Sequence, residues 1–363
     1  MSWDFPTSRG GRELHPYPAR FIPEIPAQAL DLLEIDGPVL DPFCGSGTTL
    51  AEARKRGLPS TGIDLNPIAC LISRVRGQRW SRGDSERALE HSNALRDRAM
   101  RGAATSELAA RIPRIDHWFE QPAQEALAAA VEYLAGVEEA WRDRIAVAIS
   151  SSVVRLSRQE SDTRYAAIDK GVTRAQAATE LGQAVVRVSE WIAANTTGYA
   201  DVPVEVLCQD ACDLSSLPPR HFAASVFSPP YPNAYEYWLY HKYRMYWLGF
   251  DPILVRALEL GARPHYCKPN GLTEDDFAEQ MSEVFRGLHH CLLPGAPVVV
   301  VVGDSVIGGR RIDNAGLMRK AAGGQGFSLD AHAERSIRGG RSSFNRAHTR
   351  ARSSEHILLL RAP

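Results

Sequence analysis

Four consecutive residues, Ser228-Pro229-Pro230-Tyr231, bring together side chains and carbonyls that could do chemistry. They follow an apolar run, Ala223-Ala224-Ser225-Val226-Phe227, which reads as a short buried strand. Neither proline can donate to a sheet ladder, and each fixes its own φ at roughly −65°. A stiff loop therefore leaves the strand with the Ser228 hydroxyl and the Pro229 carbonyl held in place, and a tyrosine ring follows at once. Two hydrogen-bond acceptors beside a flat aromatic face suit a planar heterocycle that carries an exocyclic amino group. The same four residues also read as an X-Pro-Pro turn with a core tyrosine, and short motifs recur by chance. The residues upstream bear on that choice.

Gly37-Pro38-Val39-Leu40-Asp41 reads as a first strand, ending in the turn Asp41-Pro42-Phe43-Cys44-Gly45-Ser46-Gly47-Thr48-Thr49. A helical stretch follows directly, Leu50 to Arg56, closed by Gly57. Strand, glycine turn and helix open a nucleotide-binding α/β unit. Gly45 and Gly47 let the backbone approach a ligand, and the helix start offers unpaired N–H groups. The second strand, Ser60-Thr61-Gly62-Ile63-Asp64, ends in a carboxylate 23 positions after Asp41, close to the ~20-residue spacing that reaches a ribose hydroxyl pair. A tight turn with a helix-capping aspartate is the plainer alternative. No Gly-Lys-Ser/Thr follows, so the turn is not a phosphate-binding loop, and Leu50 stands where the third glycine of a dinucleotide fold would fall. An adenosyl ligand without phosphates, S-adenosylmethionine, fits better. Asp210, after the strand-like run Val202–Cys208, falls where a parallel strand should end, within reach of an adenine, or is a simple turn aspartate.

These residues need a scaffold. His15 to Pro23 is an extended, proline-punctuated segment leading to a short helical pattern at Ala27–Leu33. Residues 1–76 hold this segment and the first half of an α/β core, and residues 201–363 hold the second half. Between them, 77–200 changes to long Ala-, Glu- and Arg-rich helical stretches, a helical insertion. Its loop Arg158 to Tyr165 is a solvated helix connection or a nucleic-acid contact through Arg158 and Arg164. After the diproline, residues 233–250 are crowded with rings at helical spacing, which packs most of them in a core. Tyr235 and Tyr237, nearest the prolines, are the exceptions. The run Pro297–Val302 is a further strand, a helix is expected over Ala315–Ala322, and strands near Phe327–Ala333 and His356–Arg361 complete the sheet. Between those last two strands lies a basic stretch with Arg338, Arg341 and Arg346, a surface hairpin or a phosphate-contacting loop.

The totals set bounds. With 363 residues, 44% hydrophobic and 23% charged, the chain can bury a sizeable core and is neither disordered nor fibrous. No apolar run is long enough to span a bilayer, and the N-terminus has no basic-then-apolar signal pattern, so a cytoplasmic protein without a membrane partner is expected. Six cysteines without a C-x-x-C pair argue for reduced thiols and no metal site. A net charge of −1 means that any nucleic acid must be held by a local patch.

Taken together, the residues resemble the S-adenosylmethionine-dependent amino-methyltransferases of DNA, which act on cytosine N4 or adenine N6. The resemblance covers both ends of the chain. It implies a doubly wound, mostly parallel, Rossmann-like α/β sheet carrying the helical insertion. It makes Asp41, Phe43, Gly45, Ser46, Gly47 and Thr48 the methionine-side cofactor motif, Asp64 the ribose contact and Asp210 the adenine contact. His15–Pro23 is similar to the family's N-terminal cofactor motif, with Tyr17 and Phe21 its candidate contacts. Ser228, Pro229, Pro230 and Tyr231 match the catalytic tetrapeptide, and a serine in first place goes most often with cytosine N4. The implied partner is DNA, with room for companion restriction or phage-defence proteins. RNA amino-group methylation is the nearest alternative, since RNA guanine-modifying enzymes of similar fold carry a like loop. Methylation at cytosine carbon-5 needs a Pro-Cys dipeptide in its own family, and the chain contains none.

Overall fold

A computed structural model of the chain describes residues 13–19, 21–104, 107–162, 164–233, 235–267, 270–337 and 353–363. The β-branched and apolar runs become the strands of one large sheet: β1 Val39–Asp41, β2 Ser60–Asp64, β3 Val204–Cys208, β4 Ala224–Phe227, β5 Pro297–Gly303, β6 Ser328–Ile337 and β7 Ser353–Arg361. Their order across the sheet is β6-β7-β5-β4-β1-β2-β3. All neighbours from β5 through to β3 pair in parallel, and β7 runs antiparallel between β5 and β6. Successive strands go outward from β1 on one side through β2 and β3, and on the other through β4 and β5. The strand order therefore reverses at β1 and β4, and the crevice at their carboxyl ends is where such a sheet receives a ligand.

The run Pro297–Val302 is continuously apolar because both of its faces are covered. Val298, Val300 and Val302 share a core with Phe277, Met281 and Phe285 of the helix Glu274–Cys291 and Met318 of the helix Asn314–Gly324. Val299 and Val301 point the other way, into a core with Ile25 and Ala29 of the helix Glu24–Leu32 and Ala53 of the helix Thr48–Lys55. This is the doubly wound α/β architecture expected from the motifs.

Between β2 and β3 the chain builds the helix Pro67–Arg76 and then a layer of longer helices, Asp84–Arg101, Gln121–Ala135, Glu139–Leu156 and Arg174–Asn195. One apolar cluster joins Leu95, Leu127, Ile145, Ile149 and Val185 of that layer to Ile68 and Ile72 of the preceding helix. The same cluster takes in Trp238, Tyr243, Met245 and Trp247 of the helix Tyr237–Trp247. The layer thus fixes the aromatic helix that follows the diproline loop. None of the described helices is long and apolar enough to cross a membrane.

The segment expected to connect two helices with a solvated loop is instead an antiparallel hairpin, Gln159–Ser161 with Arg164–Ala167. Backbone bonds from Arg158 N–H to the Trp118 carbonyl (2.7 Å) and from Ile168 N–H to the Arg158 carbonyl (2.7 Å) anchor it. A second hairpin, Ser305–Ile307 with Arg310–Ile312, turns on Gly308 and Gly309, both at positive φ (56° and 81°) as a two-residue turn of this hand requires. Strands β6 and β7 run further than their apolar cores suggest, so that Arg335 lies on β6 and pairs with Glu355 of β7 at 3.0 Å. Arg338, Arg341 and Arg346 lie outside the described residues.

Candidate active site

The glycine turn closes through backbone geometry only glycine takes easily. Gly45 and Gly47 have φ of 50° and 79°. A Cβ on Gly47 would lie 2.8 Å from Ser73 Oγ, and one on Gly45 would lie 3.3 Å from the Tyr17 hydroxyl. The turn is pinned from several sides. Asp41 accepts from the Phe43 N–H (3.0 Å), the Ser73 hydroxyl donates to the Gly45 carbonyl (2.8 Å), and the Thr49 hydroxyl donates to the Val226 carbonyl of β4 (3.2 Å). Asp64, at the end of β2, accepts from the Gly45 N–H on Oδ2 (2.9 Å) and from the Asn66 N–H on Oδ1 (2.8 Å). Each oxygen keeps a further lone pair for a ligand hydroxyl.

The strand β4 ends at Phe227, and the two prolines carry the chain out over the same crevice. The Ser228 hydroxyl lies 3.4 Å from that of Tyr231. The Tyr231 ring rests on Gly303 at the end of β5, where a Cβ would come within 3.0 Å of Cε2. Its main chain is clamped by Gly261, at φ 70°, where a Cβ would stand 2.7 Å from the Tyr231 carbonyl oxygen. The Asn233 N–H closes this clamp by donating to the Gly261 carbonyl at 2.9 Å. Burial, with the nearby Glu355 charge adding to it, pushes the Tyr231 phenol above its ordinary range, so it stays a neutral hydrogen-bonding group.

These pieces border one open cavity of about 1020 Å³ counted out to its mouth. Asp41, Phe43, Gly45, Ser46, Thr48 and Asp64 form one wall, with Asp210 at the end of β3, Tyr17 and Phe21 from the N-terminal segment, and Ser228 to Tyr231 with Tyr235 opposite. Gly47 supports the turn from beneath without lining it. Tyr17 is held by stacking on Tyr237 (ring centroids 5.8 Å) and His241 (5.3 Å). Arg158 and Arg164 are elsewhere: Arg158 donates to the Asp116 carbonyl (3.0 Å) and pairs with Glu120 (3.5 Å), while Arg164 pairs with Glu160 (2.8 Å).

Among the described residues the cavity is lined by four carboxylates, Asp41, Asp64, Asp210 and Glu259, and by no Lys, Arg or His. Burial pushes Asp41 up to about 7 and Asp64 up to about 6. A phosphate would meet only like charge here, whereas a cation without phosphates meets complementary charge. Two buried groups on the wall, Ser46 Oγ and Asn66 Nδ2, have no hydrogen-bond partner among the described residues. Polar atoms left bare in a cavity are what a bound ligand would satisfy. Asn66 and Ser46 could thus hold the polar edge of an adenosyl ligand, Phe21, Phe43 and Tyr17 its flat faces, and Asp64 its ribose.

No family model matches the chain. Over 68 residues, 18% of this chain, it is 40% identical to the Type II methyltransferase M.MjaII of Methanocaldococcus jannaschii. Over 119 residues, 30% of this chain, it is 31% identical to the Type II methyltransferase M.MvaI of Kocuria varians. The chain is similar to Type II methyltransferases. The matched stretches span 13% and 25% of those relatives' own lengths. A solved SAM-dependent methyltransferase of Methanosarcina mazei superposes at a TM-score of 0.36 with 11% identity, across 96% of this chain and 98% of that one, too distant a likeness to argue from.

Beside the residues that the sequence singled out, the cavity takes in three side chains that sequence reasoning did not assign to it. Glu259 follows the helix Pro252–Leu258, and its two oxygens accept from the Tyr237 N–H (2.8 Å) and the Trp238 N–H (2.7 Å). It is a carboxylate cap, supplied from about twenty residues downstream, for the helix Tyr237–Trp247. Burial, against the pull of the two amides, raises it to about 8. Nothing in its spacing marks it out among the 43 acidic residues. Asn66 did leave a signal, since Asn-Pro opening a helical run is a cap, and its Oδ1 accepts from the Ile68 N–H (3.0 Å). Tyr237, singled out only for its nearness to the prolines, completes the Tyr17 stack on the cavity wall.

Proposed function

We propose that the chain binds S-adenosylmethionine in this cavity and methylates an exocyclic amino group of a DNA base, cytosine N4 in the first instance. The observation that carries the reading is the shared cavity: Ser228 and Tyr231 face the same space as Asp64 and the glycine turn, and among the described residues that space is lined by carboxylates alone of the charged groups. The similarity to Type II methyltransferases supports DNA as the substrate class. The serine at position 228, rather than an acid or an amide, favours cytosine N4 through the resemblance stated above. Adenine N6 presents the same amino group on a six-membered ring and is the nearest variant.

When bound, the cofactor supplies a methyl group on an electrophilic sulfonium. The chain's own residues then have to make a poor nucleophile better. An exocyclic amine is weakly nucleophilic because its lone pair is delocalised into the ring. Ser228 Oγ and the Pro229 carbonyl would accept the two amino hydrogens and favour a nitrogen whose lone pair is free of the ring. Their pull grows as positive charge develops on that nitrogen, so it stabilises the transition state more than the ground state. The diproline corner holds both acceptors rigid, and this orientation supplies much of the rate. Tyr231 offers its ring to the base, which must leave the duplex to reach the cavity.

Nucleoside analysis of DNA and RNA after incubation with isotopically labelled cofactor tests the proposal. Label in N4-methylcytosine is the expected result; label confined to RNA would overturn it, and label in N6-methyladenine would correct the base. Ser228→Ala should lower kcat by about 10²-fold while cofactor affinity stays within about twofold, as befits loss of one fixed acceptor. Equal turnover in the variant and the parent would remove Ser228 from the mechanism.

A further inference from the structure

Most arginines of the helical layer sit on carboxylates: Arg87 on Glu90, Arg98 on Glu132, Arg144 on Asp84, Arg155 and Arg187 on Glu180. Arg111, Arg114, Lys242 and Arg256 differ. None has an ion pair among the described residues, and they lie together around a stack of rings. Tyr165 of the hairpin stacks on Tyr243 at 5.7 Å with 19° between planes, and Trp118 lies 4.9 Å from Tyr165. Lys242 Nζ stands 5.4 Å from the Tyr243 ring centre and 5.9 Å from that of Tyr165. The charge of Arg114 reaches the Tyr243 hydroxyl and that of Arg111 the Tyr246 hydroxyl, where Asp251 opposes it. The charge of Arg256 bears on Lys242, and its guanidinium lies over the Trp238 ring at 5.0 Å.

Cations set over this ring cluster, whose part-buried members Trp118 and Tyr165 cover the buried Tyr243, suit a nucleic-acid backbone, because phosphates supply the missing charge. This face is continuous with the cavity. The helix Pro252–Leu258 carries Arg256, and its Val255 and Leu258 line the cavity wall. Ile253 and Leu254 of the same helix are 51% and 59% exposed, apolar side chains on the helix whose Val255 and Leu258 border the cavity that a base must enter. Apolar groups at such a place suit a base step opened by the departure of its neighbour.

We propose that the face built from Arg111, Arg114, Lys242 and Arg256 around the Tyr165–Tyr243 stack holds the sugar-phosphate backbone of duplex DNA while one base occupies the cavity. The proposal rests on the amino-methyltransferase reading and gives it a docking surface built from cations other than Arg158 and Arg164, which pair with Glu120 and Glu160.

The test compares two variants of the full chain that lose equal charge. One carries Arg111→Gln, Arg114→Gln, Lys242→Gln and Arg256→Gln. The other carries Arg82→Gln, Arg101→Gln, Arg220→Gln and Arg319→Gln, exposed residues elsewhere on the molecule that have no ion pair among the described residues. Binding of a fluorescein-labelled duplex of about 24 base pairs is followed by anisotropy across a sodium chloride series. Each neutralised phosphate adds about −0.9 to the slope of log affinity against log salt, so the first variant should flatten that slope by up to about 3.6 and the second by less than about 1. S-adenosylhomocysteine affinity, measured by calorimetry, should stay within about twofold of the parent in both, showing an intact cavity. Unchanged slopes, or equal flattening in both variants, would overturn the proposal, as would a parent chain that binds RNA and not the duplex. A parent that binds the duplex with a steep slope lost in the first variant, yet transfers no methyl group, would sustain this surface and refute the amino-methyltransferase reading.

Discussion

Asp64 does two things at once. It fastens the glycine turn through the Gly45 N–H, and its remaining lone pairs face the cavity where a ribose would lie. Replacement by alanine would undo both, whereas Asp64→Asn keeps the shape and one acceptor oxygen. We expect Asp64→Asn to weaken cofactor binding by about 10- to 100-fold, the loss of one or two charge-assisted hydrogen bonds. Turnover at saturating cofactor should fall far less, the reverse of Ser228→Ala. Titration of cofactor binding by calorimetry beside steady-state kinetics separates the two, and an Asp64→Asn variant with parental affinity would remove the ribose role. Asp64 was legible in the sequence because its distance from the turn is a property of the fold type. Glu259 was not, because a cap delivered from a distant loop leaves no local pattern. Ser46 stood inside the glycine motif, yet only the structure shows that its hydroxyl is buried without a partner among the described residues.

The strands and helices that carry these groups were largely visible as hydrophobic runs, with ends displaced by a few residues. The first helix begins at Glu24 rather than Ala27, with Pro23 before it, and the helix expected over Ala315–Ala322 spans Asn314–Gly324, opened by Asp313, whose side chain accepts from the Gly316 N–H. The hairpins were missed for a different reason. Their strands are three or four residues long, and polar sequences such as Gln159 to Arg164 carry no alternation to read. The clamp on the diproline loop was invisible too, because Gly261 and Gly303 meet Tyr231 only through the fold. That clamp yields a prediction. Gly261→Ala places a Cβ against the Tyr231 carbonyl at a residue already in the left-handed region, and backbone atoms cannot step aside as a side chain can. We expect a loss of about 1–3 kcal/mol in urea unfolding, together with a drop in kcat larger than any change in cofactor affinity. A variant with parental turnover would show that the loop is positioned by its prolines alone.

At the scale of the whole molecule the cavity concentrates negative charge in a protein of net charge −1. Asp41 and Asp64 rise from 3.8 to about 7 and about 6, and Glu259 from 4.5 to about 8, in each case chiefly through burial, with Asp64 adding repulsion to the other two. A carboxyl group raised in this way keeps its proton in the folded chain after the unfolded chain has lost its own. The unfolded state then binds fewer protons, so stability falls as pH climbs from the ordinary carboxyl range to about 8. The thermal midpoint of the free protein should accordingly be highest near about pH 5 and lower by about 5 °C or more near about pH 8.5. A bound cation favours the ionised carboxylates, so its affinity must rise over the same range and protons must leave on binding. S-adenosylmethionine carries a sulfonium charge that S-adenosylhomocysteine lacks, while the two share every other group. We therefore expect the ratio of their affinities to shift toward the sulfonium by about tenfold between about pH 6 and about pH 8, the effect of roughly one pKa unit of coupling. Calorimetry at both pH values, in two buffers of different ionisation enthalpy, measures the ratio and the released protons together. If the two ligands gained equally with pH, the carboxylate wall would be responding to the adenosyl and amino-acid parts they have in common, and the charge argument for a sulfonium in this cavity would fail.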